Sequence, residues 1–253
     1  MMNPPHRETA SSALPTTRRT LIKGATLGVG ASLLGTGVPV GAQSPTSGSL
    51  PALETRAFNQ SHQPAPLRFD PARLKGLSQR LIESHWSNNY GGSVRALNET
   101  NRRLAEALSD PELPAYVYND LKREHLMRTG SVVLHELYFG NLGGSGQPAA
   151  ATRSFIASSF GDYDRWETEF RRIAAGLGGG AGWVVLAINR HLGTLENYWM
   201  ADHMHGPTVA QPLLVLDMYE HSYHLDYGAA AARYVDAFFA NIDWDRVAAR
   251  ARI

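Results

Sequence analysis

The chain has 253 residues, 43% of them hydrophobic, enough for a packed core in one large domain or two small ones. A formal charge of +1, with no long basic or acidic block, gives no footing for nucleic acid or for an anionic membrane surface. The absence of cysteine excludes disulfides, thiolate metal sites, cysteine-ligated iron–sulfur clusters and cysteine nucleophiles together.

Near the N-terminus stand Thr17-Arg18-Arg19-Thr20-Leu21-Ile22-Lys23, then a weakly apolar Gly/Ala/Leu/Val stretch from Gly24 to Val40, then the small-residue pattern Val40-Gly41-Ala42. This resembles a bacterial twin-arginine export signal, so residues 1–42 are expected to be a removable leader and the remainder periplasmic or otherwise exported. A membrane anchor is the competing reading; the Gly-rich, weakly hydrophobic run and the cleavage pattern argue against it, and no stable membrane association is expected after removal. Loss of Arg7, Arg18, Arg19, Lys23 and Glu8 leaves 20 basic against 22 acidic residues. Residues 43–66, rich in Ser, Pro, Gln and Ala without periodicity, are expected to form a flexible arm.

Asp70-Pro71 predicts a helix start, with Leu74, Leu77, Leu81 and His85 following on one apolar stripe. Beyond Gly91-Gly92 the pattern resumes with Val94, Leu97, Leu104 and Leu108, and a second helix is expected from Ala115 to Phe139. Residues 67–145 therefore read as an N-terminal helical hairpin domain, closed by the breaker cluster from Asn141 to Pro148. Short helices are expected over Arg153–Phe160 and Asp162–Leu177. Strands follow at Trp183–Asn189, Thr194–Ala201 and Leu213–Leu216, with Gly193 in the hairpin turn. Helices over Ala229–Ala240 and Trp244–Ala251 end the chain. The expected class is α+β, with residues 149–253 forming a C-terminal domain that holds a three-stranded antiparallel sheet flanked by helices.

His85, His135, Asp217 and His221 combine three imidazoles with one carboxylate, a set that suits one redox-active iron or manganese ion with a coordination position left open. Zinc is chemically compatible with such a set but does no redox work. The D-x-x-x-H spacing by itself is a weak signal among ten histidines. The text around it is more specific. Leu213 to Tyr223, containing Asp217-Met218-Tyr219-Glu220-His221, resembles the D-x-W-E-H signature of the iron/manganese superoxide dismutase family. Leu134-His135-Glu136-Leu137-Tyr138-Phe139 is similar to that family's second-ligand helix, and His85 with Leu97-Asn98 to its first. Phe160-Gly161, Phe170, Gly180-Ala181-Gly182-Trp183 and Ile242-Asp243-Trp244-Asp245 follow in the family's order, so the resemblance spans about residues 67 to 248.

The resemblance implies dismutation of superoxide to dioxygen and hydrogen peroxide at one iron or manganese ion per subunit, with His85, His135, Asp217 and His221 as ligands. It also implies a homodimer formed through Glu220 and His221, with a tetramer the other assembly in view. The family places a Gln or His beside the metal's solvent ligand, either four residues before the second histidine or on the hairpin before the Asp. Here the first position is Ser131, and His203 of Ala201-Asp202-His203-Met204-His205 is the candidate, ahead of His205. Tyr219 replaces the signature Trp, with Trp183 and Tyr138 as further walls of the site. Ser93 stands where a gateway Tyr is usual, Asn89 where a His is usual, and Ala231 where an Arg commonly guides the anion inward. His224, in place of a Tyr, is expected either to face Asn89 across a two-fold interface or to lie on the surface. These departures leave a second expectation open: a dismutase-like metal-binding protein whose catalysis is reduced or lost.

Overall fold

The computed structural model describes Phe58 and residues 60–251, and the expected export signal lies outside them. Helix α1, Gln79–Ser84, runs through a π-turn at His85–Tyr90 into α2, Gly91–Leu108, and α3, Ala115–Gly140, packs against α2 after a short connection. Helices α4, Ala150–Phe160, and α5, Tyr163–Leu177, lead to strands β1, Trp183–Asn189, β2, Thr194–Met200, and β3, Ala210–Asp217. Helices α6, His224–Tyr227, α7, Ala231–Ala240, and α8, Trp244–Arg250, follow. The protein is mixed helix and sheet, and the three-stranded sheet is antiparallel with order β2-β1-β3.

The helix starts differ from expectation in one place. Asp70 does cap a turn, accepting from the Ala72 amide at 3.0 Å, but Pro71–Arg73 is a single 3-10 turn. Gly76 sits at φ +72°, a left-handed conformation that ends any regular run there, and α1 begins only after Ser78, whose hydroxyl accepts from the Leu81 amide. Leu77 is buried all the same, outside the helix. Conversely, Gly91-Gly92 breaks nothing: the chain passes from the π-turn straight into α2. The π-turn carries one extra residue per turn and sets His85 at its head, where α1 ends.

Within the stretch read as a flexible arm, Gln60–Pro66 is tied to the helices by specific bonds. The His62 amide donates to Asn98 Oδ1 at 2.8 Å and Asn98 Nδ2 returns a bond to the His62 carbonyl at 2.9 Å. The Ala65 amide donates to the Tyr90 hydroxyl at 2.6 Å, and Tyr90 donates to Glu136 at 2.7 Å. His62 Nε2 also meets Glu136 at 2.6 Å. Tyr90 closes the π-turn and Glu136 adjoins His135, so the arm fastens together the two helical segments that carry His85 and His135.

The sheet register does the same for the second half of the site. Trp183 opens β1 and pairs with Met200 at the end of β2 and with Asp217 at the end of β3. The indole, the carboxylate and the loop after Met200 are thereby gathered at one end of the sheet. Strand β1, from Trp183 to Ala187, and strand β3, from Leu213 to Asp217, are buried without interruption, as expected of strands covered on both faces. Helix α3 packs on β3, which brings His135 to Asp217.

Candidate metal centre

Four predicted residues meet. One ligand atom from each of His85, His135, Asp217 and His221 lies within 4.8 Å of the others. Asp217 Oδ2 is the focus: the Nε2 atoms of His85, His221 and His135 stand 3.1, 3.3 and 3.7 Å from it. Its other oxygen accepts from the Tyr219 amide at 2.9 Å, and its backbone carbonyl accepts from Tyr234 at 2.7 Å and from Ser222 at 2.9 Å. The carboxylate is thus fixed at both ends by bonds that do not consume Oδ2.

The donor chemistry calls for a cation. His135 Nδ1 lies 2.7 Å from the Ser131 carbonyl, an acceptor only, so Nδ1 carries the ring proton and Nε2 presents a lone pair to Asp217. His135 Nε2 and both ring nitrogens of His85 are buried and hold no hydrogen bond among the described residues. Burial holds His85 below its ordinary 6.5 despite the attraction of Asp217, and holds His135 at about 3. Burial acts against the charge of Asp217 too, but His221 and His85 outweigh it, and the carboxylate stays ionised well below the usual range. Neutral imidazole lone pairs converging on a buried anion leave polar groups unsatisfied at a cost of about 1–3 kcal/mol each. A metal ion among them removes that cost, and the set of hard carboxylate and imidazoles without sulfur fits iron or manganese.

The set opens toward solvent at His221. His85, His135 and Asp217 are at most 1% exposed, whereas the His221 side chain is 27% exposed. A cavity of about 380 Å³ leads to it, lined by Asn89, Ser93, Arg128, Ser131, His203 and His221, with His135 also in its wall. A separate depression of the same volume, lined by Arg68, Tyr90, Glu136 and Arg250, holds none of the four residues, so it is the orphaned nitrogens and not the volume that mark the site.

The outer candidates fall as follows. His203 lines the cavity and accepts at Nδ1 from the Trp183 indole N–H, 3.0 Å away, which leaves Nε2 to carry its proton. Burial holds His203 below its ordinary value, so it is neutral. Its backbone rests against α3, where a Cβ on Gly130 would stand 1.9 Å from the His203 carbonyl oxygen. The glycine makes that approach feasible. Tyr219 is sandwiched, its ring 4.9 Å from His203 and 5.3 Å from His221, and burial beside Asp217 pushes its hydroxyl up to about 12. Tyr138 and Trp183 are buried, with ring centroids 5.2 Å from His85 and 5.1 Å from His135. Ser93 and Ser131 meet each other, hydroxyl to hydroxyl at 2.7 Å, and Asn89 lines the cavity. His205 bonds Asp202 and is exposed; His224 and Glu220 are exposed; Ala231 lies against Gly178 and away from the cavity wall.

Tyr234, Glu136, Tyr90 and Arg128 escaped sequence reasoning. Tyr234 reads as one more apolar position of α7, and Tyr90 as part of a glycine break. Arg128 and Glu124, four apart on a long helix, look like an ordinary solvated ion pair.

Comparison with known proteins gives the same picture. The profile of "Iron/manganese superoxide dismutases, C-terminal domain" matches residues 148–250. The chain is 50% identical over 185 residues to "Superoxide dismutase [Fe]" of Cupriavidus metallidurans, covering 73% of this chain and 93% of that protein. It is 36% identical over 184 residues to "Superoxide dismutase [Fe]" of Aquifex aeolicus, covering 70% and 85%. It is 31% identical over 186 residues to "Superoxide dismutase [Mn] 1" of Halobacterium salinarum, covering 71% and 90%. With identity and coverage of this order carried by relatives of both metal types, the chain belongs to the iron/manganese superoxide dismutase family.

Proposed function

We infer that this chain is a superoxide dismutase holding one iron or manganese ion per subunit between His85, His135, Asp217 and His221. The observation that carries the reading is the group of buried, unpartnered imidazole nitrogens around an ionised carboxylate, in a chain 50% identical to an iron superoxide dismutase. When bound, the metal supplies the one-electron exchange by which one superoxide becomes dioxygen and a second, with two protons, becomes hydrogen peroxide.

The protein's residues supply everything else. Asp217 and the three histidines offer one negative charge and three neutral donors. The Ser131 carbonyl and the Tyr219 amide hold His135 and Asp217 in orientation. His203, with Nδ1 occupied by Trp183, keeps its Nε2–H as a donor for a solvent molecule or small anion in the cavity. Tyr219 stacks between His203 and His221 and holds the two rings in register. Tyr138 and Trp183 wall the buried side against bulk water.

Helices α1 to α3 correspond in this reading to the family's N-terminal helical hairpin, and the sheet with its helices to the C-terminal domain. The chain acts as a homodimer through Glu220 and His221; Glu220 is exposed in the single chain and free to reach a second subunit. Residues 1–42 direct export through the twin-arginine route, with the folded protein already loaded. Purified protein reconstituted with iron or manganese is expected to dismutate superoxide well above an equal concentration of the free ion. Stoichiometric metal without such activity would sink the reading.

A further inference from the structure

Arg128 is the one permanently charged side chain that lines the cavity among the described residues. Helical spacing explains its place: Arg128, Ser131 and His135 are three and four residues apart on α3, so they share one stripe of the helix, with Arg128 two turns above His135. At about 1.5 Å rise per residue, that sets it about 10 Å from His135 along the axis, and its one side-chain bond among the described residues goes to Glu124 rather than to the four converging residues. Its Nε donates to Glu124 at 2.6 Å, one turn further out. Of the pair, Arg128 lines the cavity and Glu124 does not. The remaining wall at the mouth is uncharged, with Asn88, Asn89, Gly92 and Ser93. Ala231, where the resemblance led to an expected arginine, is packed against Gly178 and offers no charge.

We propose that Arg128 is the positioning cation of this enzyme, drawing the superoxide anion into the cavity toward His221 and His203 from the mouth of α3. This rests on the dismutase reading above. A cation in a low-dielectric cleft focuses its field along the opening and raises the local anion concentration. The role is one of charge and not of shape, because the guanidinium makes no bond to any of the four converging residues or to His203.

The test uses the full metal-loaded protein and the variants Arg128→Ala, Arg128→Glu and Arg128→Lys, each checked for unchanged metal content. At low ionic strength Arg128→Ala is expected to lower kcat/KM about tenfold, the lower end of what focusing clefts contribute, and Arg128→Glu to lower it further. The gap to the parent shrinks as the Debye length falls from about 30 Å at 0.01 M to about 8 Å at 0.15 M salt. Arg128→Lys keeps most of the rate, since it keeps the charge. A second readout is the Kd of azide on the iron-loaded protein, followed in its visible spectrum, which weakens in the same order of variants. An unchanged rate and salt slope in Arg128→Ala would overturn the proposal, as would a Lys variant as slow as the Ala variant. If the loaded parent shows no turnover, the dismutase reading falls by itself, and the order of azide affinities decides the role of Arg128.

Discussion

His85, His135 and Asp217 are buried to 1% exposure or less on elements locked by packing and by strand register, while Asn89, Arg128 and His221 border an open cavity on the same chain. The buried ring keeps the ligand types that the family signature implies. The rim lacks the expected long side chain at position 93, where the Ser93 and Ser131 hydroxyls bond to each other instead of reaching inward. The difference follows from what each region must do. Buried donors around one carboxylate tolerate no exchange, because any unpaired replacement leaves an uncompensated polar group in a dry site. A solvent-open rim acts through charge and access, and either can be supplied from another position, the role proposed for Arg128.

The contrast is broken most severely from the inside. Asp217→Asn keeps the shape and removes the charge on which three imidazoles converge. Metal affinity is expected to fall by more than the roughly 10–100-fold that follows loss of a ligand's hydrogen-bond partner. Elemental analysis after dialysis against a chelator reads this directly, and retention of full metal would show that another group supplies the negative ligand. One step outward, Trp183→Phe removes the N–H that fixes His203 and leaves the four converging residues in place. Turnover is expected to drop about tenfold with metal content intact. A parallel loss of metal would mean that the indole supports the ring itself.

A separate effect, on stability, needs the metal-free protein. Burial holds His135 at about 3, whereas in the unfolded chain it takes up a proton near 6.5. Between those values the unfolded state binds more protons, so the folded state loses stability as pH falls through the window. The contribution from this group is about 1.4 kcal/mol per pH unit, fully present above 6.5 and levelling off below about 3. Urea unfolding of the metal-free protein from pH 7 to pH 4 measures the slope; a flat profile would mean that His135 is already protonated or solvated.

The legibility of this molecule in its sequence follows the same division. The strands of the sheet and the helices after Pro148 are readable because apolar runs and turn residues mark them, and the four converging residues because each lies in a distinctive stretch of text. The start of α1 was misplaced because a proline and a stripe of leucines outweighed Gly76, whose positive φ decides the matter. The continuous passage from α1 to α2 was hidden by Gly91-Gly92, which in the folded chain are accommodated by a π-turn held by long-range bonds through Tyr90. Those bonds join residues 25 and 46 positions apart, and no local pattern encodes them. The placement of His203 depended on Gly130 admitting a backbone from another element, a contact that only the fold creates.

The central prediction is that one metal ion is held by this chain's own His85, His135, Asp217 and His221. Anomalous diffraction from crystals of the loaded protein, collected above and below the iron and manganese absorption edges, tests it most directly. One peak per subunit bonded to the Nε2 atoms of the three histidines and to Asp217 Oδ2 is the predicted result. An ion bound elsewhere, or four converged side chains without a peak in a protein that analyses for one metal per subunit, would contradict it.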